Sequence, residues 1–252
     1  SQAMDQPESP QRLLSPSKVT AWLECAHYLT LRHEADEGRL TVERGGMGEF
    51  TQLLMDKGLE HERACLADYQ QQTGDVVEVS KWDRRAESFQ GWVNRVGTVL
   101  HDGHDVVYQM PFVHDGMRGI ADFLVKRIFD DGSFTYEPVD AKLARREAKP
   151  GHVLQLCFYA DAIRAAGFPM PEQVHIWLGS GRLESIRLRE VHTYWTRLRA
   201  QLKVAMDAIP GAATCAVKCN HCSFCEFAGT CEQGWRERDA LQYVAEIGRA
   251  HV

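Results

Sequence analysis

The stretch DVVYQMPFVHDGMRGIADFLVKRIFDDGSFTYEPVDAK, residues 105–142, decides the fold. Asp105 to Phe112, Arg118 to Phe129 and Ser133 to Leu143 are rich in β-branched and aromatic residues. Asp130-Asp131-Gly132 supplies a hairpin turn between the last two, so three adjacent antiparallel strands are expected. Gly119-Ile120-Ala121-Asp122 sets a carboxylate in an otherwise apolar strand. In Glu137-Pro138-Val139-Asp140-Ala141-Lys142, Asp140 and Lys142 share one face, because strand side chains repeat every two residues. Pairing across the turn brings Asp122 and Asp140 together with Lys142 beside them. Two carboxylates pressed together repel unless a divalent cation holds them, and hard oxygen ligands favour Mg²⁺ or Mn²⁺. A neighbouring lysine can then orient a water or take its proton. Read alone, the same residues also fit a turn aspartate and an exposed edge pair.

Outward from the meander the chain is helical on both sides. Ser15-Pro16-Ser17 opens a helix whose apolar positions, Val19, Trp22, Leu23, Ala26 and Leu29, line one buried face. A second helix is expected from Met47 to about Gln71, a short strand over 75–80, and a helix from Arg84 to Leu100. After the meander come a helix from His152 to Ala166, strands Gln173 to Leu178 and Leu183 to Leu188, and a helix from Val191 to about Ile209. This is an α+β pattern closed by a cysteine-rich tail.

The 252 residues are 44% hydrophobic, which excludes a disordered or fibrous chain. A net charge of −6 argues against coating nucleic acid by bulk charge but leaves room for a local basic groove. The longest apolar runs fall far short of the roughly 20 residues of a membrane span, so a soluble cytoplasmic protein is expected. Its eight cysteines then point to metal, catalysis or packing rather than disulfides. Ser1 to Met4 reads as a cloning remnant, and residues 5–12 as a loose polar lead.

Five cysteines crowd the tail at Cys215, Cys219, Cys222, Cys225 and Cys231, and thiolates two residues apart converge on one centre. Both a tetrahedral zinc site, which could recruit His221, and an iron–sulfur cluster fit the spacing. Cys65 and Cys157 fall at helical core positions and read as packing. Cys25 lies on the expected N-terminal helix and alone also reads as packing. His61, in Gly58-Leu59-Glu60-His61-Glu62, could supply a nitrogen to the metal held by the carboxylates. Gln155 and Tyr159, four apart on one helix face, could touch a substrate backbone, and Arg145, Arg146 and Lys149 extend a basic run from Lys142.

The order His61, Gly119-x-x-Asp122, Asp140-x-Lys142, Gln155-x-x-x-Tyr159 resembles the PD-(D/E)xK nuclease superfamily in its RecB-like branch. Cys25 with Cys222-x2-Cys225-x5-Cys231 is similar to the iron–sulfur subset of that branch, which includes CRISPR-associated RecB-like exonucleases and AddB-type nuclease domains. Val139 to Arg145 and His221-Cys222-x-x-Cys225 look most like RecB-like nucleases fused to a C-terminal helicase. Ala121 stands where that signature often has proline, and Asp140 where glutamate is commoner.

The resemblance implies a restriction-endonuclease-like core, a mixed sheet flanked by helices, with catalytic His61, Asp122, Asp140 and Lys142. It implies Mg²⁺ or Mn²⁺ on His61, Asp122, Asp140 and the Ala141 carbonyl, and a [4Fe-4S] cluster on Cys25, Cys222, Cys225 and Cys231. DNA, single-stranded or at an end, would meet Gln155, Tyr159, Arg145, Arg146 and Lys149, with a helicase as a possible partner. Cys219 is an extra thiol that permits an all-local site. The expected divisions are 15–104 (helical part of the nuclease domain), 105–209 (core), 210–238 (cluster segment) and 239–252 (start of a further region). The rival from another class is a non-catalytic nucleic-acid- or protein-binding module with a zinc ribbon.

Overall fold

The structure, a computed structural model, describes residues 13–42, 49–143 and 150–238. Arg145, Arg146 and Lys149 lie outside the described residues, as do Met47 and the segment from 239 onward. The described chain falls into two compact units. One holds the described residues up to Pro16 and those from Glu49 to Arg197; the other holds those between Ser17 and Gly48 and from Leu198 onward.

The first unit is built on a six-stranded sheet in sequence order: β1 (Val76–Glu78), β2 (Val106–His114), β3 (Met117–Ile128), β4 (Phe134–Lys142), β5 (Gln173–Leu178) and β6 (Leu183–Arg187). The β1/β2 and β4/β5 pairs are parallel and the other three antiparallel. The three-stranded meander stands where the sequence puts it. Asp115-Gly116, both at positive φ, make the two-residue turn between β2 and β3, the backbone twist that matches flanking strands. Asp131 caps the next turn by accepting from the Ser133 N–H.

Helix α3 (Glu49–Gln72) lays Cys65 and Tyr69 on Val106, Tyr108, Phe123 and Val139 of the sheet. Each large side chain taken from water there contributes about 1.5–3 kcal/mol. Helix α5 (Pro150–Ala165), the crossover between β4 and β5, is apolar nearly all round and correspondingly buried over Leu154 to Ile163. The expected helix from Arg84 shrinks to α4 (Phe89–Val96), because Ser88 accepts the Gly91 N–H and caps it there. A 3₁₀ turn, Val99–Asp102, follows. Among the described residues no helix is long and apolar enough to cross a membrane.

The second unit corrects the reading of the N-terminus as one helix. Two short helices, α1 (Pro16–Glu24) and α2 (Tyr28–Asp36), are separated at Cys25, whose carbonyl accepts the Tyr28 N–H. Cys25 therefore sits in a break, not on a helix face. Helix α6 (Leu188–Asp207) begins in the first unit and ends in this one, and the tail adds a 3₁₀ turn (Asn220–Phe224) and α7 (Ala228–Glu237). Tyr28 donates to Glu226 Oε1 at 2.6 Å and packs edge-on to Phe227, while the His27 ring bonds Thr214. These contacts hold the two ends of the chain in one unit.

Candidate active site

The β3–β4 register runs from Ile128 opposite Phe134 to Phe123 opposite Val139 and stops there. The next pair in that register is Asp122 and Asp140. Beyond this point β4 goes on alone with β5, pairing Asp140 with Ile176 and Lys142 with Leu178. The carboxylates thus sit where the sheet forks. On the other side of β3 the ladder skips a pair as well: Tyr108 is opposite Phe123 and Met110 opposite Ala121, while Gln109, opposite Asp122, has φ of 63°. A non-glycine residue in the left-handed region costs about 1–3 kcal/mol and persists only where its surroundings fix it.

Asp122 Oδ2 accepts the Ala141 N–H at 2.9 Å, which ties the fork together and fixes the Ala141 peptide within the site. Burial, then the Asp140 carboxylate beside it, pushes the Asp122 pKa well above the ordinary carboxylate value; Glu62 adds to this and Lys142 opposes it. Asp140 is 1% exposed. Lys142 Nζ stands 2.9 Å from Asp140 Oδ2 in an ion pair, yet no hydrogen bond of good direction reaches that buried oxygen among the described residues. Burial works to lower the Lys142 pKa, but Asp140, Asp122 and Glu62 together outweigh it and hold the ammonium charged.

Glu62 escaped the sequence reading. It follows His61 on α3, and both the Tyr108 hydroxyl and the Gln109 amide donate to its Oε1 at 2.6 Å. The strained Gln109 therefore connects the fork to a third carboxylate. The only trace of this in the sequence is an acid adjoining His61, which a polar helix explains equally well. His61 Nε2 lies 2.8 Å from the Trp177 carbonyl, an acceptor, so Nε2 is the donor of this pair. Trp177 is the β5 partner of Ala141, which puts His61 beside the lysine-bearing strand.

Tyr159 is placed differently from the expectation. It is 1% exposed, donates to the Ile120 carbonyl at 2.7 Å and accepts from Gln155 Nε2 at 2.8 Å. Buried so, it anchors β3 and holds Gln155, and it does not present itself to a strand. Its ring packs so close to Gly119 that a Cβ there would lie 3.0 Å from Cε1, which gives the glycine of Gly119-x-x-Asp122 its reason.

Cys65 and Cys157 are buried, and burial pushes both thiols up to about 12, so they serve as packing and not as nucleophiles. In the second unit the Cys219 and Cys222 sulfurs are 3.9 Å apart, and backbone N–H groups of Cys219 and Phe227 donate to the sulfurs of Cys222 and Cys225. The Cys25 sulfur acts electrostatically on Cys222, Cys225 and Cys231, and the Cys219 sulfur acts on Cys222 and Cys231 as well. Burial first, then these neighbours, pushes Cys231 up to about 11. His221 Nε2 is buried there with no hydrogen-bond partner among the described residues. Among the described residues no three His, Cys, Asp or Glu side chains are gathered tightly enough to hold a single metal ion.

One consequence concerns stability. Asp122 with a raised pKa in the folded state penalises the fold as pH rises through the ordinary carboxylate value of 3.8 toward its folded value. Asp122→Asn keeps an oxygen for the Ala141 N–H and replaces like-charge repulsion with a donor to Asp140. In EDTA near pH 8 this variant is expected to be more stable by about 1–3 kcal/mol, a gain that shrinks in acid. Thermal melts at pH 4 and pH 8 check this; a variant less stable at pH 8 contradicts the electrostatics.

A profile of the PD-(D/E)XK nuclease superfamily matches residues 14–232. No curated protein matches the chain.

Proposed function

The chain belongs to the PD-(D/E)XK nuclease superfamily, and on that premise we propose that it is a metal-dependent deoxyribonuclease acting on single strands or ends. The observation that supports this best is the fork: Asp122 and Asp140 in the first unpaired register of β3 and β4, with Lys142 Nζ 2.9 Å from a buried oxygen that lacks a directed donor. The donor set suits a hard cation. The Asp140 oxygen paired with Lys142, Asp122 and the Ala141 carbonyl are the groups that would hold Mg²⁺ or Mn²⁺, with His61 turning from the Trp177 carbonyl to join them. Such an ion supplies an acidified water and neutralises charge developing on the scissile phosphate.

The protein's own groups do the rest. Lys142, held charged by three carboxylates, orients the attacking water and donates toward the phosphate. Glu62, fixed by Tyr108 and Gln109, sustains that charge. Gln155, held by Tyr159, offers its amide oxygen to the strand, and Arg145, Arg146 and Lys149 grip neighbouring phosphates.

For the tail we favour a [4Fe-4S] cluster on Cys25, Cys222, Cys225 and Cys231, because the Cys25 sulfur lies near enough to act on all three of the others. The 3.9 Å spacing of Cys219 and Cys222 favours the alternative of zinc, whose tetrahedral ligand sulfurs at ~2.3 Å stand about 3.8 Å apart. The test is direct. Protein purified without oxygen should be brown, contain iron and sulfide in equal amounts, and degrade labelled single-stranded DNA with Mn²⁺ but not with EDTA. A colourless zinc protein without cleavage supports the non-catalytic binding module instead.

A further inference from the structure

Beyond the forked carboxylates, a cavity of about 790 Å³ opens in the first unit at the other end of β5. Gln173, the first residue of β5, lines it, whereas Ile176 is the partner of Asp140, so the two places are roughly 10 Å apart along the strand. Three exposed arginines converge on the cavity from different elements: Arg164 from the last turn of α5, Arg187 from the end of β6 and Arg189 from the start of α6. Glu172 is the one carboxylate in its lining, and none of the three guanidinium groups pairs with a described residue. Like charges gathered without counterions repel, and the positive end of the 20-residue α6 adds to their potential.

The walls are firm. The Leu188 N–H donates to the Glu172 carbonyl at 2.9 Å and closes the base. Asp161 accepts from both the His192 ring and the Trp195 indole at 2.8 Å, which fixes the His192 side of the cavity. Met170 contributes apolar surface among the cations. The volume falls within the range of small-molecule sites. Guanidinium forks match phosphate oxygens in pairs, and apolar side chains beside them suit the face of a flat ring.

We propose that this cavity is a second binding site, separate from the carboxylates, which takes a nucleoside phosphate: phosphate oxygens on Arg164, Arg187 and Arg189, ring against Met170. A free nucleotide and the phosphorylated end of a DNA strand present this chemistry equally. The site does not depend on the nuclease assignment, because neither carboxylate of the fork takes part.

Two probes, a fluorescent ATP analogue and a short 5′-phosphorylated oligonucleotide, are titrated into the full chain in EDTA at 150 mM salt, where cleavage cannot contribute. Saturable binding of either, weakened at least tenfold both by Arg187→Gln/Arg189→Gln and by Arg164→Gln, is expected, and the probe affected identifies the source. Arg236→Gln, on α7, serves as the control. All of these positions are exposed, so melting temperatures should stay at the parent value. Binding of neither probe, or equal binding by parent and arginine variants, overturns the proposal.

Discussion

Asp140→Asn is expected to lower metal-dependent DNA cleavage by at least about a thousandfold while the protein stays folded. Asn keeps the size of a side chain that is 1% exposed, so no cavity opens. It removes the charge that justifies a cation at the fork and puts a donor beside Lys142, which already has donors only. Lys142→Ala should cost a similar factor by a different route. It leaves the proposed metal-binding oxygens intact but takes away the group proposed to orient the water, and it strands the Asp140 charge in the metal-free protein. That variant should therefore melt lower in EDTA, by about 1–3 kcal/mol, and recover when Mn²⁺ is added. Trp177, the β5 partner of Ala141, reports on occupancy: Mn²⁺ should quench its fluorescence in Lys142→Ala and fail to do so in Asp140→Asn. Cleavage by both variants at the parent rate would remove the fork from the chemistry.

Much of this site is legible because it is local. The turn at Asp130 to Gly132 sets the hairpin register, and the register alone places Asp122 opposite Asp140; the period of two then adds Lys142. What the sequence hides is tertiary. Nothing in Tyr108-Gln109 announces that both side chains reach Glu62, 46 and 47 residues away, or that Gln109 adopts a positive φ to do so. Tyr159 shares a helix face with Gln155 as its spacing implies, but which of the two meets solvent depends on Gly119 letting the ring approach β3. The break at Cys25 has no glycine or proline to mark it. It is fixed by contacts of Tyr28 and His27 with Glu226 and Thr214, nearly 200 residues on, which no local pattern encodes.

That break makes Cys25 the most informative cysteine. A cluster bound by Cys25 and the tail thiols closes a loop of roughly 200 residues, worth about 5 kcal/mol of unfolded-state entropy on the chain-entropy estimate. A site confined to Cys219, Cys222, Cys225 and Cys231 closes only about 12 residues and leaves Cys25 outside, so that its loss costs little beyond a small thiol. Cys25→Ser is nearly isosteric and half-buried, which keeps the packing term small. The expected result for Cys25→Ser is a protein that loses its brown colour and iron and melts at least 10 °C lower, with Cys219→Ser close to the parent in both respects. The reverse pattern assigns the fourth ligand to Cys219. The metal-free thiols are raised in pKa by burial and by one another, so metal release should be promoted by acid, which returns protons to the sulfurs. Because Tyr28 and Glu226 join the same two segments without any metal, Tyr28→Phe in the Cys25→Ser background should lower stability further, and more than it does in the parent, where the proposed cluster would already hold them together.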